Sequence, residues 1–297
     1  MILKKKIKVA KIIATSFYKR SFREKTGLSG DPPVYHLHSQ NFRTDESIKN
    51  LIQFNIDKEN ECDPGIPIDL IIVNNDIGNI SGNKFIENLN NTKTKHGKVI
   101  TVQNNNNGWS YGAYNKGFEL YKNQYDYFIF AEDDVIIAKD NYATIGLDIL
   151  RKNKKCGFVS FCGISYSHEF LKKKDAIHAH GASGMTSTKI LNKIYEKYGK
   201  LPHSKNSDKK YYDEIILEGE IKFTNVIYKM GYELIEPPKN NKLFEPAYDL
   251  MRGIKKPWKP GYFKKNIWLL NKKLRKKTFD FLVFLKIYRF YRNIFKK

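Results

Sequence analysis

The chain has 297 residues, a formal net charge of +22 and 41 % hydrophobic residues. This hydrophobic content is enough for a folded core and excludes a disordered or low-complexity chain. The charge is unevenly placed, because residues 252–297 carry 16 basic side chains and one acidic one, a net +15, and residues 1–11 add +5. Residues 12–251 carry the remaining +2, so we expect a near-neutral body between two basic ends.

The cysteines and the apolar runs indicate the compartment. Cys62, Cys156 and Cys162 form neither a CxxC pair nor a spacing with histidine that suits zinc, so they predict free thiols in a reducing compartment. Lys8 and Lys11 interrupt the apolar N-terminus, and a cleaved secretory signal is not expected. No apolar run reaches the roughly 18 residues of a membrane-spanning helix. We expect a cytoplasmic protein whose membrane contact is peripheral.

Strands and helices alternate along the first half of the chain. Strands are predicted at 7–17, 68–73, 98–102, 127–131 and 135–138, and helices at 45–56 (with Thr44 as N-cap), 83–89 and 111–121. This alternation predicts an α/β fold with an open, mostly parallel Rossmann-like sheet flanked by helices. Ligands of such sheets bind at the carboxyl ends of the strands. Polar residues collect at those ends, at 74–76, 104–108 and 132–134, although solubility alone also explains polar strand ends.

Three consecutive acids, Glu132, Asp133 and Asp134, lie between two apolar strands. Carboxylates packed together at low dielectric raise each other's pKa and destabilise the fold unless a cation or hydrogen-bond donors offset them. In extended backbone, residues two apart point to the same side, so Glu132 and Asp134 are expected to face one pocket and Asp133 another. Hard oxygen ligands of this kind suit Mg²⁺ or Mn²⁺. A solvated acidic turn is the alternative interpretation.

Glycine is unusually frequent in the stretch 107–117. Gly108, Gly112 and Gly117 each weaken a helix by about 1 kcal/mol relative to alanine, so close approach of the backbone to a ligand or to a neighbouring element is expected. Neither GxGxxG nor GxxxxGK[ST] occurs. A ligand role and tight helix-on-sheet packing both stay open.

The second half contains a predicted helix over 221–230 that is stopped by Gly231. Glu220 would then lie in its first turn, where an acid also complements the helix dipole, so capping and catalysis both account for it. His178 and His180 would share a face in extended backbone. A metal pair, a wall of the substrate pocket and simple packing are the interpretations of these histidines.

Taken in order, these segments resemble the family 2 glycosyltransferases and their GT-A fold. The matching segments are 69–76, 107–117 (the family's N-x-G-x-x-x-G/A-x-N-x-G stretch), 128–134 (the DXD element), 184–185, 213–214 and 220–231. The resemblance covers residues 7–236. It implies a glycosyltransferase domain over 1–250, with a nucleotide-sugar half at about 1–138 and an acceptor half at about 139–250.

The resemblance also implies residue roles. Asp134, with Glu132 beside it, would hold Mn²⁺ or Mg²⁺. Glu220 would be the general base, with Asp213 and Glu214 as alternatives. Contacts with the nucleotide-sugar are implied for Asn74, Asp76, Gly108, Asn115, Glu132 and Asp133. The chain departs from the family in three ways: Asn74 stands where an aspartate is frequent, Gly219 replaces the first acid of the Glu-Asp motif, and the arginine that usually follows this motif is absent.

The implied activity is metal-dependent, inverting transfer of a sugar, of the hexosyltransferase kind, from a nucleotide-diphosphate sugar to a hydroxyl of a glycan or lipid-linked acceptor. Surface glycan or polysaccharide synthesis at the membrane would be its setting. A basic, non-enzymatic binder of nucleic acid or of a membrane surface is the alternative suggested by the pI near 9.6. The near-neutral body lacks the basic stripe that nucleic-acid binding needs, so no nucleic acid is expected. Nucleotidyl transfer is a third possibility, but residues 15–20 lack the glycine-rich loop of that class.

The C-terminal residues 251–297 form a basic amphipathic segment. Lys286, Arg289 and Arg292 recur every three or four residues among aliphatic and aromatic side chains. A helix with one basic stripe and a broad apolar face is typical of a membrane interface. We expect this tail to bind an anionic membrane surface, with docking on the catalytic domain or on a partner as the alternative.

Overall fold

The computed structural model describes residues 7–18, 44–166, 176–179, 182–208, 212–238 and 242–246. The predictions for His180 and for the tail 251–297 lie outside these residues. The strands are β1 (Val9–Thr15), β2 (Ile68–Asp76), β3 (Val99–Asn105), β4 (Tyr127–Glu132), β5 (Val135–Ile137), β6 (Cys156–Ser160), β7 (Ile164–Ser165), β8 (His178–Ala179), β9 (Gly184–Ser187), β10 (Glu233–Ile235) and β11 (Phe244–Pro246). The helices are α1 (Asp45–Glu61), α2 (Ile80–Asn88), α3 (Trp109–Tyr121), α4 (Tyr142–Lys152), α5 (Thr188–Tyr198), α6 (Tyr212–Ile216) and α7 (Lys222–Lys229), with a π-helical turn at Leu217–Ile221 between α6 and α7.

Seven of the strands form one sheet in the order β10-β6-β9-β4-β1-β2-β3. Strand β9 runs antiparallel to β4 and β6, and the other pairs in this sheet are parallel. Strand β5 lies outside it and pairs with β11. The open, mostly parallel, Rossmann-like sheet flanked by helices that the sequence predicts is confirmed.

The sheet carries a hydrophobic core on each face, which explains why its strands read as continuous apolar runs. All seven residues of β1 are buried. Ile13 points to the side where α1, α2 and α4 pack, and Ile12 points to the side of α3, α5 and α7. The predicted N-cap of α1 is confirmed, because Thr44 accepts a hydrogen bond from the amide of Ser47 in a capping box.

One charged network is buried in this core. Lys11 of β1 is fully buried, and its Nζ donates a 2.7 Å hydrogen bond to Oε1 of Glu59 on α1. The hydroxyl of Tyr142 on α4 donates to Oε2 of the same carboxylate at 2.8 Å. Burial, together with the charge of Glu59, raises the pKa of Tyr142 well above its ordinary value. The network joins one strand to two helices on one face of the sheet.

Cys62, Cys156 and Cys162 are all free, and the last two are buried. Within the described ranges, no helix combines the length and the apolar character that crossing a membrane requires.

The strand order fixes where a ligand would bind. Strand β1 lies between β2 and β4, so the chain builds the sheet outward through β2 and β3 and then returns to the other side of β1. In open α/β sheets, ligands bind at such a switch point, outside the carboxyl ends of the strands. Here that crevice lies where β1 ends at Thr15 and β4 ends at Glu132.

Candidate active site

The acidic triplet lies at this switch point, and its middle member faces away from the other two. Asp133 is only 3 % exposed, and the hydroxyl of Thr15 donates a 2.6 Å hydrogen bond to its Oδ2. The side-chain amide of Asn55 on α1 donates to the Asp133 carbonyl at 2.8 Å. Asp133 therefore fixes the turn after β4 to β1 and α1.

Glu132 and Asp134 interact through their charges. Glu132 is partly buried, and the Ser110 hydroxyl donates a 2.5 Å hydrogen bond to its Oε1. Burial and the charge of Asp134 raise the pKa of Glu132 to about 8, with smaller contributions from Glu220 and Asp133, whereas the bond from Ser110 opposes the shift. Near neutral pH the Glu132 carboxyl therefore favours its protonated form unless a cation offsets the neighbouring negative charge.

Glu220 lies in the π-helical turn, and its expected place in the first turn of a helix is wrong. The helical run begins at Tyr212, so Glu220 is far from the helix N-terminus and its position is not that of a dipole-complementing acid. A π-helical turn holds an extra residue, and such turns are frequent at functional sites. The helix ends before Gly231, whose φ of +80° is the predicted stop signal.

Tyr111 lies close to the π-helical turn and interacts electrostatically with acids from two parts of the chain. A Cβ on Gly219 would lie 3.3 Å from atoms of the Tyr111 side chain, so the glycine allows the π-helical turn to approach α3 closely. Burial raises the pKa of Tyr111 well above its ordinary value, and the charges of Glu220 and Glu132 raise it further. Glu132 of β4 and Glu220 of the π-helical turn are distant in sequence, yet both raise the pKa of the same tyrosine.

Tyr114 adds a hydroxyl without a partner to this cluster. Its side chain is fully buried and stacks on Phe130 with ring centroids 4.4 Å apart. Its hydroxyl has no hydrogen-bond partner among the described residues. Burial and the charges of Glu132 and Asp134 are among the causes that raise its pKa. A buried hydroxyl in this state is a hydrogen-bonding group close to the carboxylates that a water or a ligand oxygen would satisfy.

These residues fit a divalent cation held jointly with a substrate. Among the described residues, no group of three or more His, Cys, Asp or Glu side chains could hold a metal ion. Mg²⁺ and Mn²⁺ suit one or two carboxylates, with waters and substrate phosphates as the other ligands. Glu132 and Asp134 provide two carboxylates, and the raised pKa of Glu132 shows negative charge that a cation would offset.

The other acids that sequence reasoning offered as bases lie elsewhere. Glu214 is exposed and accepts hydrogen bonds from the hydroxyl of Ser204 at 2.8 Å and from the side-chain amide of Asn206 at 2.9 Å. Asp213 is exposed in the first turn of α6. The structure brings Glu220, and not these two acids, to the Glu132 cluster.

Gly108 and Asn115 contact the segment 201–208. The Gly108 amide donates to the Asn206 carbonyl at 2.9 Å, and a Cβ at this glycine would lie 2.6 Å from the carbonyl oxygen of Ser204. Asn115 Oδ1 accepts a 2.8 Å hydrogen bond from the amide of Leu201. The close approach of the backbone that Gly108 predicted is therefore an approach to another segment of this chain, 201–208.

The polar end of β2 is mostly engaged by α2 and β3. The side-chain amide of Asn74 donates to Asn83 Oδ1 at 2.8 Å and to Gln103 Oε1 at 2.9 Å. Its Oδ1 is buried without a hydrogen-bond partner among the described residues. Asp76 Oδ1 accepts from the Gly78 amide and from the Asn83 side chain, so it holds the turn before α2. Asn74 thus keeps one acceptor that a ligand donor would satisfy.

Three residues that contact or lie beside the acids were not predicted from the sequence. Ser110, Tyr111 and Tyr114 belong to the glycine-rich stretch, where the signal was present, but only glycines and Asn115 were chosen from it. The sequence left three interpretations of His178. In the structure, its Nε2 lies 3.7 Å from Oε1 of Glu220.

Comparisons with known proteins give structural likeness at low identity. No protein-family model matches the sequence, and a search of curated proteins found no match. A solved mannosyltransferase from Pyrobaculum calidifontis, in complex with GDP-Man and Mn²⁺, is similar at 15 % identity and TM-score 0.44, over 79 % of this chain and 55 % of that one. A 4-diphosphocytidyl-2C-methyl-D-erythritol synthase from Anaerococcus prevotii is similar at 13 % identity and TM-score 0.38, over 83 % and 94 %. The bifunctional glycosyltransferase WbbM is similar at 10 % identity and TM-score 0.35, over 80 % and 40 %.

This chain spans about half of that mannosyltransferase.

Proposed function

We propose that the protein is a GT-A-type glycosyltransferase that moves a sugar from a nucleotide-diphosphate sugar to an acceptor hydroxyl with inversion. One observation carries the proposal: Glu220 acts on the same charge cluster as Glu132 and Asp134, at the switch point of the sheet. Such a site combines carboxylates for a diphosphate-bound cation with a separate carboxylate for proton removal. These are the two tasks that direct displacement at an anomeric carbon requires.

Glu220 is the general base of the proposed reaction. Its carboxylate takes the proton of the acceptor hydroxyl while the oxygen attacks the anomeric carbon and the bond to the diphosphate breaks. Tyr111 and Phe223, whose ring centroids are 5.5 Å apart, are both buried and contribute apolar surface near the π-helical turn. Ser110 orients Glu132 through its 2.5 Å hydrogen bond.

Asp134 and Glu132 are the residues that would hold Mn²⁺ or Mg²⁺. When bound, the cation supplies a Lewis acid that offsets the negative charge of the leaving diphosphate. Asn74, through its unpartnered Oδ1, is the candidate contact for a donor group of the nucleotide.

The test is turnover of a panel of nucleotide-sugars, namely UDP-glucose, UDP-galactose, UDP-N-acetylglucosamine and GDP-mannose, with Mn²⁺ and with EDTA. Release of the nucleoside diphosphate that depends on Mn²⁺ and stops in EDTA supports the proposal. Nucleotidyl transfer would instead release pyrophosphate from a nucleoside triphosphate mixed with a sugar phosphate. That product, together with an inactive panel, would overturn the proposal in favour of the nucleotidyl class.

The acceptor and the setting belong to the same proposal. A glycan or lipid-linked acceptor at the cytoplasmic face of a membrane, in polysaccharide synthesis, would explain why a near-neutral body carries a tail of net +15 over residues 252–297. Basic residues near anionic lipid each contribute about 1 kcal/mol to membrane binding. We therefore propose peripheral membrane association through this tail.

A further inference from the structure

His178 lies against the residue that we assign as the base, although its own sequence neighbourhood gives no such indication. It begins the short strand β8, opposite Ser165 of β7 in an antiparallel pair. Its side chain is 7 % exposed, and its Nε2 lies 3.7 Å from Oε1 of Glu220, whose side chain is 18 % exposed. Two nearly buried titratable side chains thus face each other across the gap between β8 and the π-helical turn.

The hydrogen bond on the other ring nitrogen fixes the tautomer of His178. Its Nδ1 lies 2.8 Å from the carbonyl oxygen of Ala176. A carbonyl oxygen only accepts hydrogen bonds, so Nδ1 carries the hydrogen. In the neutral ring, Nε2 therefore presents a lone pair toward the Glu220 carboxylate.

The lone pair of Nε2 and the negative carboxylate of Glu220 repel each other. A proton between them would convert this contact into a hydrogen bond. Glu220 gains such a proton at the moment when it deprotonates the acceptor. Among the described residues, Tyr111 and Tyr114 on α3 and Glu132 on β4 also interact with Glu220 through their charges. The two tyrosines keep their own protons because their pKa values are raised, and Glu132 is the proposed ligand of the cation, so neither kind of group is placed to take up the proton. Within the part of the chain that the structure describes, His178 is the residue that brings a basic nitrogen close to the Glu220 carboxylate.

We propose that His178 is a positioning residue that receives, through its Nε2, the proton that Glu220 removes from the acceptor hydroxyl. The inference rests on the proposed function. The acceptor O–H bond breaks and its proton goes to Glu220, while the oxygen bonds to the anomeric carbon and the leaving diphosphate takes the electron pair of the broken bond. The proton then passes to Nε2, which leaves Glu220 ionised and His178 as an imidazolium bonded to Ala176, and it is lost to water after product release.

Kinetics of His178→Asn test this role. The asparagine amide keeps a donor for the Ala176 carbonyl but has no basic nitrogen toward Glu220. With the panel nucleotide-sugar that the wild type turns over, we expect kcat to fall about tenfold to hundredfold, because a residue that acts through the base contributes less than the base itself. KM for the donor should stay within about twofold. The pH profile of kcat should differ between the wild type and the variant, because the variant has no imidazole beside Glu220.

His203→Asn is the matched control, because Nδ1 of His203 also lies 2.8 Å from a carbonyl oxygen, that of Leu201. We expect its rate and its pH profile to match those of the wild type. An unchanged kcat and pH profile in His178→Asn, in an enzyme with metal-dependent turnover, would overturn the inference and leave the proposed function standing.

A second measurement does not need a substrate. Imidazole ¹⁵N spectra at alkaline pH, with the His178 signals assigned by their loss in His178→Asn, should show a hydrogen on Nδ1 and a bare Nε2. These signals should move in Glu220→Gln and stay in place in Glu218→Gln. A hydrogen on Nε2 would overturn the inference even if no nucleotide-sugar is turned over, and an inactive panel alone would count against the proposed function.

Discussion

The hydroxyl of Thr15 donates a 2.6 Å hydrogen bond to Oδ2 of Asp133, which joins the end of β1 to the middle acid of the triplet. Because of this bond, the three consecutive carboxylates have different roles. Asp133 holds the turn after β4 in place, and Glu132 and Asp134 are left to act on each other and on Glu220. The predictions below test this division.

Asp134→Asn should abolish metal-dependent turnover while the fold is kept. An amide oxygen is a weaker ligand than a carboxylate for a hard divalent cation, so we expect a loss of at least about a hundredfold at saturating Mn²⁺. Donor turnover and the melting temperature are the measurements. Asp148→Asn is the control, because Asp148 is an exposed acid paired with Lys152 on α4. Turnover at the wild-type level in Asp134→Asn would refute its metal role.

Glu220→Gln should remove the base and leave donor binding intact. We expect kcat to fall by about a hundredfold to ten-thousandfold, because the amide cannot accept the acceptor proton. Glu218→Gln is the matched control, two residues earlier in the same π-helical turn and bonded to Lys222 at 2.5 Å. Full activity in Glu220→Gln would redirect the search for the base to other acids.

The stability of the metal-free protein should fall between about pH 5 and pH 8. Glu132 has a pKa of about 8 in the fold, against an ordinary value of 4.5. Glu132 therefore stabilises the fold fully at pH values below its ordinary pKa, and this stabilisation is lost as the pH rises through its pKa in the fold. Across this pH window, denaturation in EDTA should show the free energy of unfolding of Glu132→Gln rising relative to that of the wild type by about 2–4 kcal/mol. Parallel curves for the two proteins would contradict the shift.

Lys11→Met should destabilise the fold strongly, because it leaves the Glu59 carboxylate buried without its cation. A loss of about 3–5 kcal/mol in the free energy of unfolding is expected, and the double change with Glu59→Leu should recover much of it. Lys58→Met removes an exposed pair with Glu61 and should change stability by at most about 1 kcal/mol. Equal losses in Lys11→Met and Lys58→Met would show that the buried network is not required.

The full chain should bind vesicles that contain phosphatidylglycerol and not vesicles of phosphatidylcholine alone. Electrostatic attraction of the basic tail is the reason, so raising the salt concentration should release the protein. Co-sedimentation with the two vesicle types measures both effects. Binding that depends on neither the lipid charge nor the salt concentration would contradict the proposed role of the tail.

The sequence predicted β1 to β4 because parallel strands covered on both faces are continuous apolar runs. Strand β9 went unpredicted because Gly184–Ser187 contains one large apolar residue, Met185, and gains its place through pairing with β4 and β6. The early start of the helical run at Tyr212 was missed because Asp213 and Glu214 interrupt any apolar periodicity there. The roles of Glu132, Asp134 and Glu220 stay predictions, which the order of the segments along the chain suggested.

What the sequence did not predict is how the site is held together. Three-dimensional contacts decide that Gly108 and Asn115 bind the segment 201–208, and they place His178 beside Glu220. Neither relationship has a period or a spacing in the sequence. Both depend on which loops the sheet brings to one edge.

The antiparallel pairing of β9 with β4 has a consequence for dividing the protein. The expected nucleotide-sugar half ends near residue 138, yet β9, from the later half, bonds along β4 from Tyr127 to Phe130. Separate expression of the first half would leave β4 as a bare, apolar sheet edge, which is a template for aggregation. The two halves should therefore fail as independent fragments and recover only when they are produced together.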